Sequence, residues 1–354
     1  MVIITLMSWP HNLKVYVLGK LFRLKLRRLL YLYIALFTAT PLTAWARPVI
    51  WFGGDDPWVR EWKHRVPNDF MDLFTGSGEW AKNVDVLELS MQFVLSGREE
   101  QLRSIITFGR RHQLKFAMVG LMLAKHENCG DHIEGYTGPN GVERAAERFK
   151  QFGGVLGYIT MDEPLYYGSV YPHGNACQSP IAEVAAEVAS HVNRLRKIFP
   201  SIEVGEDEVV GLADQFQWLP TLGKWFEAYQ SAVGTPLAFF HADIGWKSPR
   251  WPRQLEAISN LTRKSGVQFG IIYTGNPDDP DDATWSSHAL ERAQQIEYQL
   301  NIHPDQAIIF SWMPHPVAML PSTDSTTLSG VLRCYIMMEQ KVNGGGRGCP
   351  PAIK

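Results

Sequence analysis

Residues Gly157 to Tyr167 read Gly-Tyr-Ile-Thr-Met-Asp-Glu-Pro-Leu-Tyr-Tyr, a short apolar run that stops at two adjacent carboxylates and then at a proline. Pro164 cannot donate to a strand ladder and biases Glu163 away from helix. Asp162 and Glu163 are therefore expected at the carboxyl end of a strand, where an acid can exchange a proton with a ligand. Tyr166 and Tyr167 follow at once, and their rings would desolvate Glu163 and raise its pKa, as a general acid at neutral pH requires. Acid–base work of this kind needs a second carboxylate. Asp243, in His241-Ala242-Asp243, and Glu206, in Glu206-Asp207-Glu208, both close apolar runs and both stand as candidates for base or nucleophile. Asp162 and His241 would then be hydrogen-bonding supports, and Asp56 could hold a ligand hydroxyl from the other side.

Rings accompany the acids. The chain has 12 Trp, 12 Tyr and 17 Phe, and Trp51, Trp58, Trp246, Trp251 and Trp312 fall at or just after the ends of short apolar runs. Asn276 follows another such run. Indole faces at those places can stack on a flat ligand face. Metal chemistry is not indicated, because no His-x-His closes the first apolar run and no His-Glu-x-x-His occurs. No Gly-x-Ser-x-Gly elbow marks a serine esterase, and no cofactor is expected.

The elements that must position these residues alternate regularly after Arg47. Eight short apolar runs are expected as strands: Val49 to Phe52, Val84 to Leu89, Leu114 to Val119, the run from Gly157, Ile202 to Glu206, Leu237 to His241, Gln268 to Tyr273 and Ala307 to Trp312. Eight amphipathic stretches lie between and after them, from the one ending near Phe74 to the last, about Ser325 to Gln340. Strands alternating with helices imply a parallel sheet covered by helices. Eight such units in about 300 residues fit an α/β fold of a single (β/α)8 TIM barrel. An open doubly wound sheet usually carries a Gly-rich phosphate turn after its first strand. Gly53-Gly54-Asp55-Asp56 lacks that spacing and puts acids where an anion would sit.

Residues 1–46 differ from the rest, with six basic residues, no acidic ones, and an apolar run from Leu29 to about Ala39. Small residues before Arg47 suit cleavage, so residues 1–46 read as an export signal, over-long unless the start lies at Met7. The domain is then 47–342, with a glycine-rich tail at 343–354. Without the signal the balance is 28 basic against 36 acidic residues, which disfavours nucleic acid as a partner. The apolar run is too short for a stable membrane span. Cys129, Cys177, Cys334 and Cys349 all lie in the exported part, an even count that suggests two disulfides in the periplasm or outside the cell. Cys129 with Cys177 would join two loops, and Cys334 with Cys349 would tie the last helix to the tail.

Asp162-Glu163-Pro164 at the fourth strand resembles the Asn-Glu-Pro signature of the clan A barrel glycoside hydrolases, and Ser311-Trp312 is similar to their sugar-platform tryptophan. The resemblance implies an acid/base at Glu163. It departs at Asp162, which replaces asparagine, and at the seventh strand, which lacks the family's nucleophilic glutamate. Two functions are open on these residues. One is an exported glycosidase acting on a polysaccharide or oligosaccharide, with carboxylates handling the glycosidic oxygen. The other is a barrel that binds glycan without cutting it, serving polysaccharide assembly or export.

Overall fold

The computed structural model describes residues 47–54, 56, 69–212, 217–342 and 349. The export signal at 1–46, Asp55, Trp58, most of the first expected helix and all of the tail but Cys349 lie outside the described residues. Eight parallel strands close into a barrel: β1 (Val49–Gly54), β2 (Val86–Ser90), β3 (Lys115–Gly120), β4 (Leu156–Asp162), β5 (Glu203–Val209), β6 (Phe239–Asp243), β7 (Gln268–Tyr273) and β8 (Gln306–Ser311). Each strand pairs with its sequence neighbours, and β1 pairs with β8 from Val49↔Gln306 to Gly54↔Ser311. The expected (β/α)8 barrel is the observed architecture.

Between and after the strands run α1 (Met91–Ser96), α2 (Glu99–Arg111), α3 (Gly141–Gln151), α4 (Ile181–Ile198), α5 (Trp218–Val233), α6 (Trp251–Lys264), α7 (Asp282–Gln294) and α8 (Leu328–Val342). Their starts carry local signals. The Ser90 hydroxyl accepts from the Phe93 amide at α1, and the Asp281 carboxylate accepts from the Thr284 amide at α7. That cap sets the start of α7 at Asp282. Neither α1 nor the small ladder of Leu123–Ala124 with Tyr136–Thr137 was expected from the sequence. Both are too short to show a period.

Strand alternation divides the core in two. Outward residues such as Phe52, Leu87, Met118, Ile159 and Ile271 pack against the helices in one continuous apolar layer. Inward residues Trp51, Val86, Ala117, Tyr158, Phe239, Ile272 and Ile308 fill the barrel itself. Both disulfides form as expected, Cys129–Cys177 and Cys334–Cys349. The first ties the loop after β3 to the loop after β4, both at the carboxyl ends of the strands.

One correction bears on the site. The fifth strand was expected to end at Glu206, but β5 continues through Asp207, Glu208 and Val209, paired with β6 from Glu206↔Phe240 to Val209↔Asp243. The acidic run is strand, not turn, so alternate acids point to opposite sides of the barrel wall.

The seam that closes the barrel leaves no room at Gly54. Its φ is +77°, and an added Cβ would stand 2.5 Å from the Ser311 carbonyl oxygen. Gly54→Ala should therefore lower stability by about 2 kcal/mol or more through strain and overpacking. The urea midpoint, measured with an unchanged m-value, should fall accordingly; an unaltered midpoint would show that the seam yields.

Candidate active site

The strand ends gather acids on one side of the barrel mouth. The strand order places β5 between β4 and β6. Asp162 closes β4 in register with Asp207 of β5, and Asp243 closes β6. Glu163 follows Asp162 directly and is 7% exposed. Its φ is +43°, the left-handed region that a residue with a Cβ enters only when its surroundings enforce it. The Glu163 amide donates to the Asp207 carbonyl at 3.2 Å, and its own carbonyl accepts from the Tyr167 amide at 3.0 Å. Behind the turn, the Leu165 and Tyr166 amides both donate to Glu208 Oε1, at 2.7 and 3.0 Å.

So held, the Glu163 side chain comes within hydrogen-bonding reach of Asp243, an interaction that lowers Asp243 against the rise from burial. Burial pushes Glu163 well above the ordinary glutamate value, and the charges of Asp243, Glu208, Asp207 and Asp162 push the same way. Asp243 is raised by burial and by Glu134, but only to about 6. The two environments split the pair. At neutral pH Glu163 holds the proton and Asp243 carries the charge, the division of labour that acid–base catalysis uses.

Further carboxyls surround the pair. Burial, then Glu134 and Asp243, raise Asp162 to about 8. Asp207 is raised by burial and by Asp162, Glu88 and Asp243. Glu88 lies deeper in the barrel, accepting from the Thr160 hydroxyl at 2.5 Å, and burial brings it to about 7. Glu134, on the loop bound by Cys129–Cys177, accepts from the Tyr167 hydroxyl at 2.7 Å. Among the described residues no group of three or more His, Cys, Asp or Glu side chains is placed to hold a metal ion.

Rings flank the acids. Tyr166, half-buried, lies 5.0 Å from Tyr167 and 5.5 Å from Tyr171 between ring centroids. Beyond β6, Trp246 is fixed on three sides. Its indole N–H donates to Thr274 Oγ1 at 2.8 Å, the Arg292 guanidinium covers one face at 4.4 Å, and Trp251 meets it at 5.3 Å. Trp246 is nonetheless half-exposed, as is Trp312 at the end of β8. A fixed, partly exposed indole can serve as a stacking surface.

Five expected site residues are placed otherwise. Glu206 faces away from the barrel interior: it is fully buried and accepts from the Trp225 indole N–H of α5 at 2.7 Å. Gly205, one residue earlier, faces inward, where an added Cβ would meet Phe239. Alternation therefore puts Asp207 inward and Glu206 outward. Trp51, 0% exposed, is barrel filling, packed on Tyr158, Phe239 and His241 at about 5 Å. His241 bonds Gln306 through Nε2 at 2.6 Å, and Gln306 continues to Gln268, so this chain runs to the amino-terminal starts of β7 and β8. Burial lowers His241 to about 4 and keeps it neutral. Asp56, 1% exposed, accepts from the Ser90 amide at the head of α1. Asn276 is engaged by Asp279 and by Arg292, which donates to its Oδ1 at 2.5 Å.

Asp207, Glu134 and Glu88 had no role assigned from the sequence. Asp207 could have been found, since Val204, Glu206 and Glu208 share one parity and Gly205 and Asp207 the other. Glu134 offered no signal, because only the disulfide and the Tyr167 hydroxyl bring it to the cluster.

No protein-family model matches the sequence, and no curated protein is similar to it. Solved structures with a similar chain trace include an endo-1,4-beta-xylanase from Caldicellulosiruptor owensensis, 8% identical, with a TM-score of 0.48 over 74% of this chain and 84% of that one. A fungal beta-1,4-galactanase is 12% identical, with a TM-score of 0.46 over 80% of this chain and 99% of that one. Xylanase 10B from Thermotoga maritima is 10% identical, with a TM-score of 0.43 over 74% and 82%. Likeness at this level transfers no chemistry, and the barrel stands on its own strand pairing.

The acid cluster sets the sign of a pH effect on folding. Glu88, Asp162 and Asp243 hold their protons in the folded chain up to about 7, 8 and 6, whereas the unfolded chain releases them near 4 to 4.5. The folded state binds more protons in that window, so the stability these groups contribute is fully present below about pH 4 and lost as pH rises through 6 to 8. The melting temperature should fall between pH 5 and pH 8, and Asp162→Asn should flatten the slope. A melting temperature that climbs over that interval would refute the assigned protonation.

Proposed function

We propose that this protein is a glycosidase, with Glu163 as general acid/base and Asp243 as its carboxylate partner. The observation that carries the reading is the pairing of Glu163 and Asp243 at the carboxyl ends of β4 and β6, in unequal surroundings that favour the proton on Glu163. Glycoside cleavage needs one protonated and one ionised carboxyl on the two sides of a glycosidic bond. Half-exposed Tyr166, Trp246 and Trp312 offer apolar faces for sugar rings, and half-buried Asp162 offers hydroxyl contacts.

The pair's separation favours one stereochemical course. Inverting enzymes keep their carboxyls about 6.5–9.5 Å apart to seat a water, and retaining ones about 5–5.5 Å apart. A pair within hydrogen-bonding reach of each other lies nearer the shorter spacing. In the proposed reaction Asp243 attacks the anomeric carbon while Glu163 gives its proton to the departing oxygen, leaving a glycosyl ester on Asp243. Glu163, now ionised, takes a proton from water as that water attacks the ester and frees Asp243. β7 ends in Tyr273, whose hydroxyl is bound to Glu297, and on its loop Asp278 pairs with Lys247 while Asp279 is engaged by Asn276 and His288. Asp243 thus takes the nucleophile's place on β6. Two disulfides and the basic–apolar segment at 1–46 support action in an oxidising compartment, the periplasm or the exterior. Among the described residues no helix is long and apolar enough to cross a membrane.

Digestion of a broad glycan panel is the test. Glu163→Gln and Asp243→Asn should each lower kcat by about 10³-fold or more on whichever glycan is cut. The first product should keep the anomeric configuration of the substrate. The rate should rise with pH as Asp243 ionises near 6 and decline at higher pH as Glu163 loses its proton. Glycan binding without turnover, unchanged by Glu163→Gln, would instead assign the barrel a non-catalytic role.

A further inference from the structure

Glu208 is an unusual residue for its position. It faces the layer between barrel and helices, where Val204 and Ala242 are apolar, and it is 0% exposed. A glutamate there forgoes hydration and packs no better than a leucine, so its retention in the fold calls for a specific use. The structure shows one. Glu208 Oε1 accepts from two successive amides, Leu165 and Tyr166, which open the short helical segment after Pro164. Those are orphan N–H groups that no carbonyl of their own segment can reach. The residue just before that segment is Glu163, at φ +43°.

A left-handed conformation costs a residue with a Cβ about 1–3 kcal/mol and persists only where neighbours over-determine it. Three contacts over-determine this one: the Glu163 amide on the Asp207 carbonyl, the Tyr167 amide on the Glu163 carbonyl, and the Glu208 clamp. The first ties Glu163 itself to β5, and the second closes the turn within its own segment. Of the three, the clamp is the one that ties the residues after Glu163 to another strand, and that strand, β5, lies between the two members of the pair.

We propose that Glu208 is the positioning residue of the site: by gripping the Leu165 and Tyr166 amides it holds the left-handed turn that directs the Glu163 carboxyl onto Asp243. The proposal rests on the reading of Glu163 as the acid. Glu208 touches neither Asp243 nor a ligand, and it acts through Glu163 alone. Burial raises Glu208 itself to about 8, so its charge develops on the alkaline side, where it adds to Asp243, Asp207 and Asp162 in favouring the protonated form of Glu163. The groups that face Glu208 itself are Glu206 on its own strand, Asp162 on β4 and Tyr166 on the clamped segment.

Two variants of the full chain separate geometry from charge. Glu208→Gln keeps an acceptor oxygen for both amides but no charge, whereas Glu208→Ala keeps neither. On a glycan that the wild type cuts, Glu208→Ala should lower kcat by at least about ten-fold with KM within about two-fold, as misplacement of a reacting group does. Glu208→Gln should recover most of that loss while moving the alkaline limb of the pH profile to lower pH. A ¹³C-NMR titration of the Glu163 carboxyl, assigned against Glu163→Gln, needs no turnover and should show a lower pKa in Glu208→Gln than in the wild type. A folded Glu208→Ala with unchanged kcat and pH profile would overturn the proposal. So would a Glu163 titration that ignores Glu208→Gln. If the wild type cuts no glycan, the glycosidase reading falls, and the titration still judges Glu208.

Discussion

The interaction between Glu163 and Asp243 is the one on which the mouth of this barrel depends. It links the ends of β4 and β6 across β5, and it is favourable only while at least one of the two carboxyls is protonated. Two like carboxyls in similar surroundings would share a proton without a fixed owner. Here ownership is settled by unequal settings. Glu163 is the more enclosed of the two and faces four other carboxyls, whereas Asp243 keeps some contact with solvent. The left-handed turn at Glu163 is the geometric condition for that contact, and β5 supplies its supports from both sides of the wall, Asp207 through its carbonyl and Glu208 through its carboxylate.

The same economy of strand alternation runs through the rest of the molecule. A barrel strand has one face for the interior and one for the helices, so a charged residue on it must serve one layer or the other. Glu88 and Asp207 serve the interior, which becomes more acidic toward its carboxyl end. Below them Trp51, Tyr158 and Phe239 close the barrel with rings, and the polar chain His241–Gln306–Gln268 leads away from the acids. The result is a ring-filled floor under a cluster of proton-holding groups. Low polarizability beneath the acids strengthens every charge interaction above it.

Much of this was legible in the sequence. Eight apolar runs separated by helical stretches gave the barrel, because each run was bounded by turn residues and long enough to be a strand and no more. Pro164 fixed where β4 ends, and with it Asp162 and Glu163. Both cysteine pairings could be foreseen from the loops that carry them. What the linear reading missed was the face of some residues. Glu206 closes an apolar run when read linearly, yet two further acids continue the strand, and parity sends Glu206 outward. Trp51 sits near a strand's end in sequence but at the barrel's centre in space, since β1 runs on through two glycines. Asp56 and Asn276 are polar loop residues whose partners, Ser90 and Arg292, lie 34 and 16 residues away. Such partners follow from closure of the fold, not from local spacing.

The central claim is that Glu163 and Asp243 act on opposite sides of one glycosidic bond. A crystal structure of Glu163→Gln with an oligosaccharide that the wild type cleaves tests it most directly. The account predicts the scissile oxygen within about 3.2 Å of the residue 163 side chain, and the Asp243 carboxylate facing the anomeric carbon from the other side of the ring. An oligosaccharide bound elsewhere, with the residue 163–Asp243 contact still closed beneath it, would contradict the account.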